Sequence, residues 1–296
     1  MHPFLAMLNR RGQRKVATAL GKMGREAIRI RTHRAKEKDF ALGQSKIGGA
    51  AHVPPGFIWP EFKGTPQLFI AQINMAELPD CQARSQLPER GLLSFFFEGG
   101  MEAWGFDPAN KGAARVYHFE DDPAKFVAMA REDKDEYNLT SPRSCRLDFS
   151  VETNIPLNSE QVDFEDFFPT GTRQEREVYY QTLDEYYFDP SNEKPAAPSA
   201  AAHKILGWPD LMQGDNFTEA QLVTNGLYCG DGTGYRDPRA KVLVTKRHDW
   251  QLLLQVDTDD NADMMWGDAG LVYFLIKKDD LATRSFDNIW FSFQCG

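Results

Sequence analysis

Cysteine is scarce and dispersed. The 296-residue chain has four, Cys81, Cys145, Cys229 and Cys295, and no two form a CxxC pair. That excludes a zinc ribbon and a disulfide-stapled scaffold, and leaves reduced, mostly buried thiols as the expectation. The six His are equally scattered, with neither HxxxH nor HExxH, so a metalloprotease helix is excluded. Long apolar runs are missing too. Leu271–Ile276 is among the longest, and a membrane helix needs about 20 residues. The N-terminal stretch lacks the apolar core of a secretory leader. A cytoplasmic protein with no integral membrane segment and no cofactor is the expectation.

What the chain does have is apolar and aromatic mass: 42% hydrophobic residues and 21 Phe, enough for a large core. Its charge of −9 is unevenly spread. Residues 1–40 hold eleven Lys and Arg against three acids, while the remainder holds 23 against 40. An acidic body argues against nucleic-acid binding, because phosphate backbones are negative. It favours a basic protein partner. The contrast at residue 40 suggests a basic amphipathic helical arm over 1–40 and a second unit over 41–296.

Val16, Leu20, Met23, Ala27 and Ile30 recur at spacings of 4, 3, 4 and 3, which predicts a helix over 13–34. Further helices are predicted at 123–131, 173–188 and 216–225, with another starting at Asp237-Pro238. Strands are predicted at 67–74, 91–97, 114–119, 145–152, 250–257, 270–277 and 289–294. Residues 189–202, rich in Pro and Ala, read as a flexible connection. The acidic, aromatic stretch 160–189 is the natural complement of the basic N-terminus, either within one chain or between two copies that self-associate through residues 1–40.

The chain also repeats itself. Leu68–Asn74 (LFIAQIN) aligns with Gln251–Asp257 (QLLLQVD), placing Gln72 on Gln255 and Asn74 on Asp257. Each unit continues through a loop to a Gly and an aromatic strand, GLLSFFF at 91–97 and GLVYFLI at 270–276. Strand alternation puts Phe69, Ala71 and Ile73, and likewise Leu252, Leu254 and Val256, toward a core. The polar residues then lie on the opposite faces, and a pseudo-twofold axis would bring them into one shared cleft. The expected partners of the two Gln amides are backbone groups of the 47–66 loop and of the Trp266–Gly270 turn.

Several of these segments carry a resemblance. Ser45-Lys46-Ile47-Gly48-Gly49, Trp59-Pro60 and Phe69–Asn74 resemble the opening motif of the YwqG-like bacterial proteins. Leu87–Phe96, His203-Lys204-Ile205-Leu206-Gly207-Trp208-Pro209 with Gln213, Leu252–Asp257, Met265–Gly270 and Tyr273-Phe274 extend it across about residues 43–296. The resemblance implies a domain of unknown function with a mainly β, roll-like fold and an internal duplication. It supplies no catalytic residues. With the patterns above, the fold class is α+β, mainly β: a roll-like mixed sheet with internal pseudo-duplication and peripheral helices.

The candidate cleft residues are Trp59, Gln72, Asn74, His203, Gln213, Gln255, Asp257, Trp266 and Asp268. Asp257, Asp259, Asn261, Asp263 and Asp268 also have the spacing of a calcium loop, although Ala262 stands where a Gly permits the sharp turn. A Cys–His nucleophile pair using Cys145 or Cys229 with His203 is a further possibility of the composition. The glycine-rich run 226–234 lacks the Gly-Lys-Ser/Thr ending of a phosphate loop. The balance of these features favours a non-catalytic binding or interaction protein, of which an immunity-like protein is one version, over a hydrolase working with carboxylates in the cleft.

Overall fold

The structure is a computed structural model that describes residues 2–100, 102–132, 141–188 and 201–296. Most of the stretch expected to be a flexible connection, 189–200, lies outside the described residues. Ten strands form one sheet: β1 (Arg25–Arg34), β2 (Lys46–Ile47), β3 (Leu68–Asn74), β4 (Leu92–Phe97), β5 (Ala114–Phe119), β6 (Cys145–Asn154), β7 (Lys204–Ile205), β8 (Trp250–Asp257), β9 (Leu271–Lys277) and β10 (Trp290–Gln294). Their spatial order is β10-β9-β8-β7-β1-β6-β2-β3-β4-β5. The fold is α+β, as expected. Every pairing in the sheet is antiparallel, so the sheet is not mixed.

The sheet order reads as two equivalent runs. In sequence the strands go β1 to β5 and then β6 to β10, but β7 sits beside β1 and β2 beside β6. Each run has therefore given its first strand to the other. The register fixes the correspondence. Lys46 pairs with Arg146 and Gln72, and Lys204 pairs with Arg29 and Gln255. Two residues on from Arg29 and from Arg146 stand Arg31 and Asp148, which pair with each other and so mark the pseudo-twofold axis.

Curling brings the inner faces of the two halves together. Phe95 packs edge-on to Phe274 with ring centres 5.2 Å apart, and Phe97 packs on Phe291 at 5.4 Å. Ile28, Ile30, Ala71, Ile73, Leu254 and Val256 join this core. The outer face of the second half is covered by helices Pro3–Arg10, Arg14–Lys22, Arg173–Phe188 and Asn216–Val223, and that of the first half by the loop carrying Phe57 and Trp59.

Three expectations are corrected. The predicted helix over 13–34 is a helix only at Arg14–Lys22; Arg25–Arg34 is the central strand β1, paired along its whole length with β6. Residues 123–131 form a 3-10 turn, Pro123–Lys125, and a short strand, Val127–Met129, paired with Ala51–Val53. Phe69 and Leu252 do not face the inner core. A β-bulge falls between Phe69 and Ala71 and, at the equivalent place, between Leu252 and Leu254. The extra residue, Ile70 or Leu253, turns inward and sends its predecessor to the outer face.

Candidate functional site

Two buried polar clusters occupy equivalent places on the outer face. In the first half, Gln72 accepts from the His52 N–H at 2.9 Å and its amide reaches the Gln44 carbonyl at 2.6 Å and His52 Nδ1 at 2.9 Å. In the second, Gln255 accepts from the Asp210 N–H at 2.9 Å and its amide reaches the Ala202 carbonyl at 2.6 Å and Asp210 Oδ2 at 3.0 Å. Asn74 N–H donates to Ser45 Oγ at 2.8 Å where Asp257 N–H donates to His203 Nδ1 at 3.0 Å. The duplicated Gln residues thus do the same work: each ties a strand to the segment crossing over it. The 47–66 loop supplies part of the partners of Gln72, as expected. The Trp266–Gly270 turn supplies none to Gln255.

The two clusters do not share a cleft. β3 and β8 are five strand steps apart in the sheet, about 24 Å at the usual strand spacing. Each cluster instead encloses a fully buried lysine. Lys46 pairs with Glu37, which also accepts from Ser144. Lys204 pairs with Asp210 at 2.7 Å. Burial lowers the pKa of both ammoniums, and their carboxylates oppose that. His52, also buried beside Lys46, is pushed down to about 4 and is neutral.

The remaining sequence candidates disperse. Trp59 packs on Phe96 and donates to the Gln67 carbonyl at 2.8 Å. Asn74 donates to the Gly43 carbonyl at 2.9 Å. Gln213 donates to the Cys295 carbonyl at 2.9 Å, and Trp266 is buried against Phe97. The carbonyl of Asp268 accepts from Gly296. The carboxylates of the calcium-like loop point to different protein groups. Asp257 accepts from Ala202 N–H, Asp259 from Thr32 and the buried His203, and Asp263 from Arg143. Asn261 donates to Thr32. Among the described residues no three His, Cys, Asp or Glu are gathered as a metal would need. Burial pushes the Cys145 and Cys229 thiols up to about 11, the reverse of an activated nucleophile.

One open cavity of about 600 Å³ lies at the foot of β1 and β8. Sequence reasoning missed it. Arg25, Glu26, Gln86, Leu206, Gln251, Lys278 and Arg284 are among the residues that line it, from five separate stretches of chain. In its wall the successive residues Leu206 and Gly207 take positive φ of 58° and 77°, a conformation that only the glycine hints at in the sequence.

A family model described as a domain of unknown function, DUF1963, matches residues 45–295. The chain belongs to that family. A comparison with curated proteins gives no match. The DUF1963 match takes in nine of the ten strands; β1 lies before its start yet fills the middle of the sheet. The second cluster and most of the cavity lining belong to the DUF1963 region, while the first cluster draws Glu37 and the Gln44 carbonyl from before its start, and Arg25 and Glu26 come from β1.

Proposed function

We propose that this DUF1963 chain is a non-catalytic binding protein of the YwqG-like kind. The observation that carries the reading is how its reactive groups are engaged. The buried lysines are neutralised by Glu37 and Asp210, the Gln amides are committed to their covering segments, and the Cys145 and Cys229 thiols stay protonated. The open cavity, by contrast, is lined by cations and amides and holds no His or Cys. Its carboxylate, Glu26, accepts from the backbone N–H groups of Gln82 and Ala83 at 2.6 and 3.2 Å. Such a lining can hold a ligand but offers no nucleophile activated by a base. The free thiols fit a reducing, cytoplasmic setting.

A basic protein partner remains compatible with the acidic body. Self-association through residues 1–40 has less to work with, because Phe4, Leu8, Val16 and Leu20 are already buried and Arg11 pairs with Glu185 within the chain.

A hydrolase-type enzyme is the second reading, and Glu219 is what favours it. Burial, with Asp215 adding to it, raises that carboxyl to about 7, the range of a general acid or base. It lies outside the cavity lining. Equilibrium dialysis of the full chain against a small-molecule extract of bacterial cells separates the readings. Retention of a compound in proportion to protein, with every compound conserved, is expected. Consumption of a compound by substoichiometric protein, lost in Glu219→Gln, would establish the enzyme instead.

A further inference from the structure

We infer that the cavity at the foot of β1 recognises a small molecule through an oxyanion group, a phosphate or a carboxylate; this rests on the binding reading above. The first argument is charge. In a chain of net −9, Arg25, Lys278 and Arg284 line one cavity against a single carboxylate, Glu26, which two backbone N–H groups already occupy. Among the described residues neither Arg25 nor Lys278 stands in an ion pair. The Arg284 guanidinium is directed to the Gln86 and Leu281 carbonyls, so it carries charge into the lining while bracing its wall. Asp249 is the counter-charge felt by Lys278, and His248 feels both Arg25 and Lys278, while Arg247 beside it is paired with Asp163.

The second argument is preorganisation. Arg25 lies with its guanidinium carbon 3.5 Å from the centre of the Trp208 ring. The indole is itself fixed, since its Nε1–H donates to the Met23 carbonyl at 2.8 Å. Stacking occupies one face of the guanidinium and leaves its in-plane N–H groups for a planar or tetrahedral oxyanion. Burial pushes Arg25 down to about 10 and also lowers Lys278, to which the charge of Arg25 adds; an anion entering between them favours the charged form of both.

The third argument is asymmetry between the halves. Leu206 corresponds to Gly48, and both take positive φ, 58° and 65°. A leucine there carries backbone strain that a glycine would avoid. The second half retains that strain where the cavity lies, and Leu206 forms part of its wall. The volume of about 600 Å³ falls within the range of small-molecule sites.

Isothermal titration of the full chain with inorganic phosphate and, separately, with citrate tests the inference and distinguishes the two oxyanion sources. At least one probe is expected to bind with one-to-one stoichiometry. Its affinity should fall about fivefold or more between about 50 and 500 mM NaCl, as expected for partly exposed charges. Lys278→Gln, at an exposed side chain that leaves the Arg25–Trp208 stack untouched, should weaken the same probe about tenfold while keeping the melting temperature. No binding of either probe, or equal affinity in Lys278→Gln, overturns the inference. Retention of a neutral or cationic compound in dialysis would then still uphold the binding reading, whereas catalytic turnover would remove that reading whatever the titration gave.

Discussion

At the residue scale, the two buried lysines show how a duplicated site keeps its charge balance while its sequence drifts. Gly49 and Gly207 are equivalent, and a Cβ on them would meet Ser144 and Glu37 in one half and Ala27 and Asn154 in the other. Glu37 therefore corresponds to Asn154, and along the covering segment His52 corresponds to Asp210. Each half has one carboxylate for its lysine, but from the opposite member of the pair. An unpaired buried ammonium would cost several kcal/mol, so the carboxylate could change position but not disappear. The Gln pair was legible in sequence because the residue is the same in both halves and sits at the same place in a strand. The lysines were visible as Lys46-Ile47 and Lys204-Ile205, yet their partners were not, since those come from different positions and different residue types. Glu219 yields a test at this scale. Its pKa of about 7 in the folded chain exceeds the ordinary 4.5, so its contribution to stability is whole below pH 4.5 and is lost as pH rises through 7. Glu219→Gln should melt on the order of 3 °C higher than the parent at pH 8 and show no gain near pH 4.5, read by calorimetry at both values. A uniform gain at both would mean that ionisation of Glu219 is not the cause.

At the scale of elements, β1 shows why a pattern can be read correctly and still mislead. Ala27 and Ile30 continue the helical spacing begun at Val16, but Ile28 and Ile30 also alternate with Arg29 and Arg31 at strand period. Over ten residues both periods fit, and the slot between β7 and β6 decides between them. Nothing local signals that slot, because it is made by strands more than 100 residues away in sequence. The charge contrast at residue 40 belongs to the outer face of β1 and to the helices before it, and does not mark an edge in the packing. The bulges were hidden for a related reason: an extra residue inside a hydrophobic run leaves the composition of LFIAQIN and QLLLQVD unchanged. A chain starting at Ala41 loses the strand on which β6 and β7 pair, leaving their backbone groups unsatisfied in the middle of the sheet. It should be insoluble or melt without a cooperative transition. A soluble product with a sharp melt within about 10 °C of the parent would show that β1 is dispensable.

At the scale of the whole molecule, the exchange of first strands makes the duplication inseparable. An ordinary tandem repeat can be cut into two folding units, each with its own core. Here β1 belongs by sequence to the first run and by pairing to both, joined to β6 along ten residue pairs and to β7 at two. The inner core is likewise common property, since Phe95 and Phe97 of one run pack on Phe274 and Phe291 of the other. Either run alone would expose that aromatic face and an unpaired central strand, a template for aggregation. Residues 1–132 and 141–296 produced as separate chains should therefore each be aggregated or unfolded. Co-expressed, they should recover as a one-to-one complex, because the interface between them is the sheet itself. Size-exclusion chromatography with far-ultraviolet circular dichroism reads the result. A folded, monomeric first piece would mean that β1 finds a place within its own run, and the pseudo-twofold would then describe two independent domains instead of one intertwined sheet.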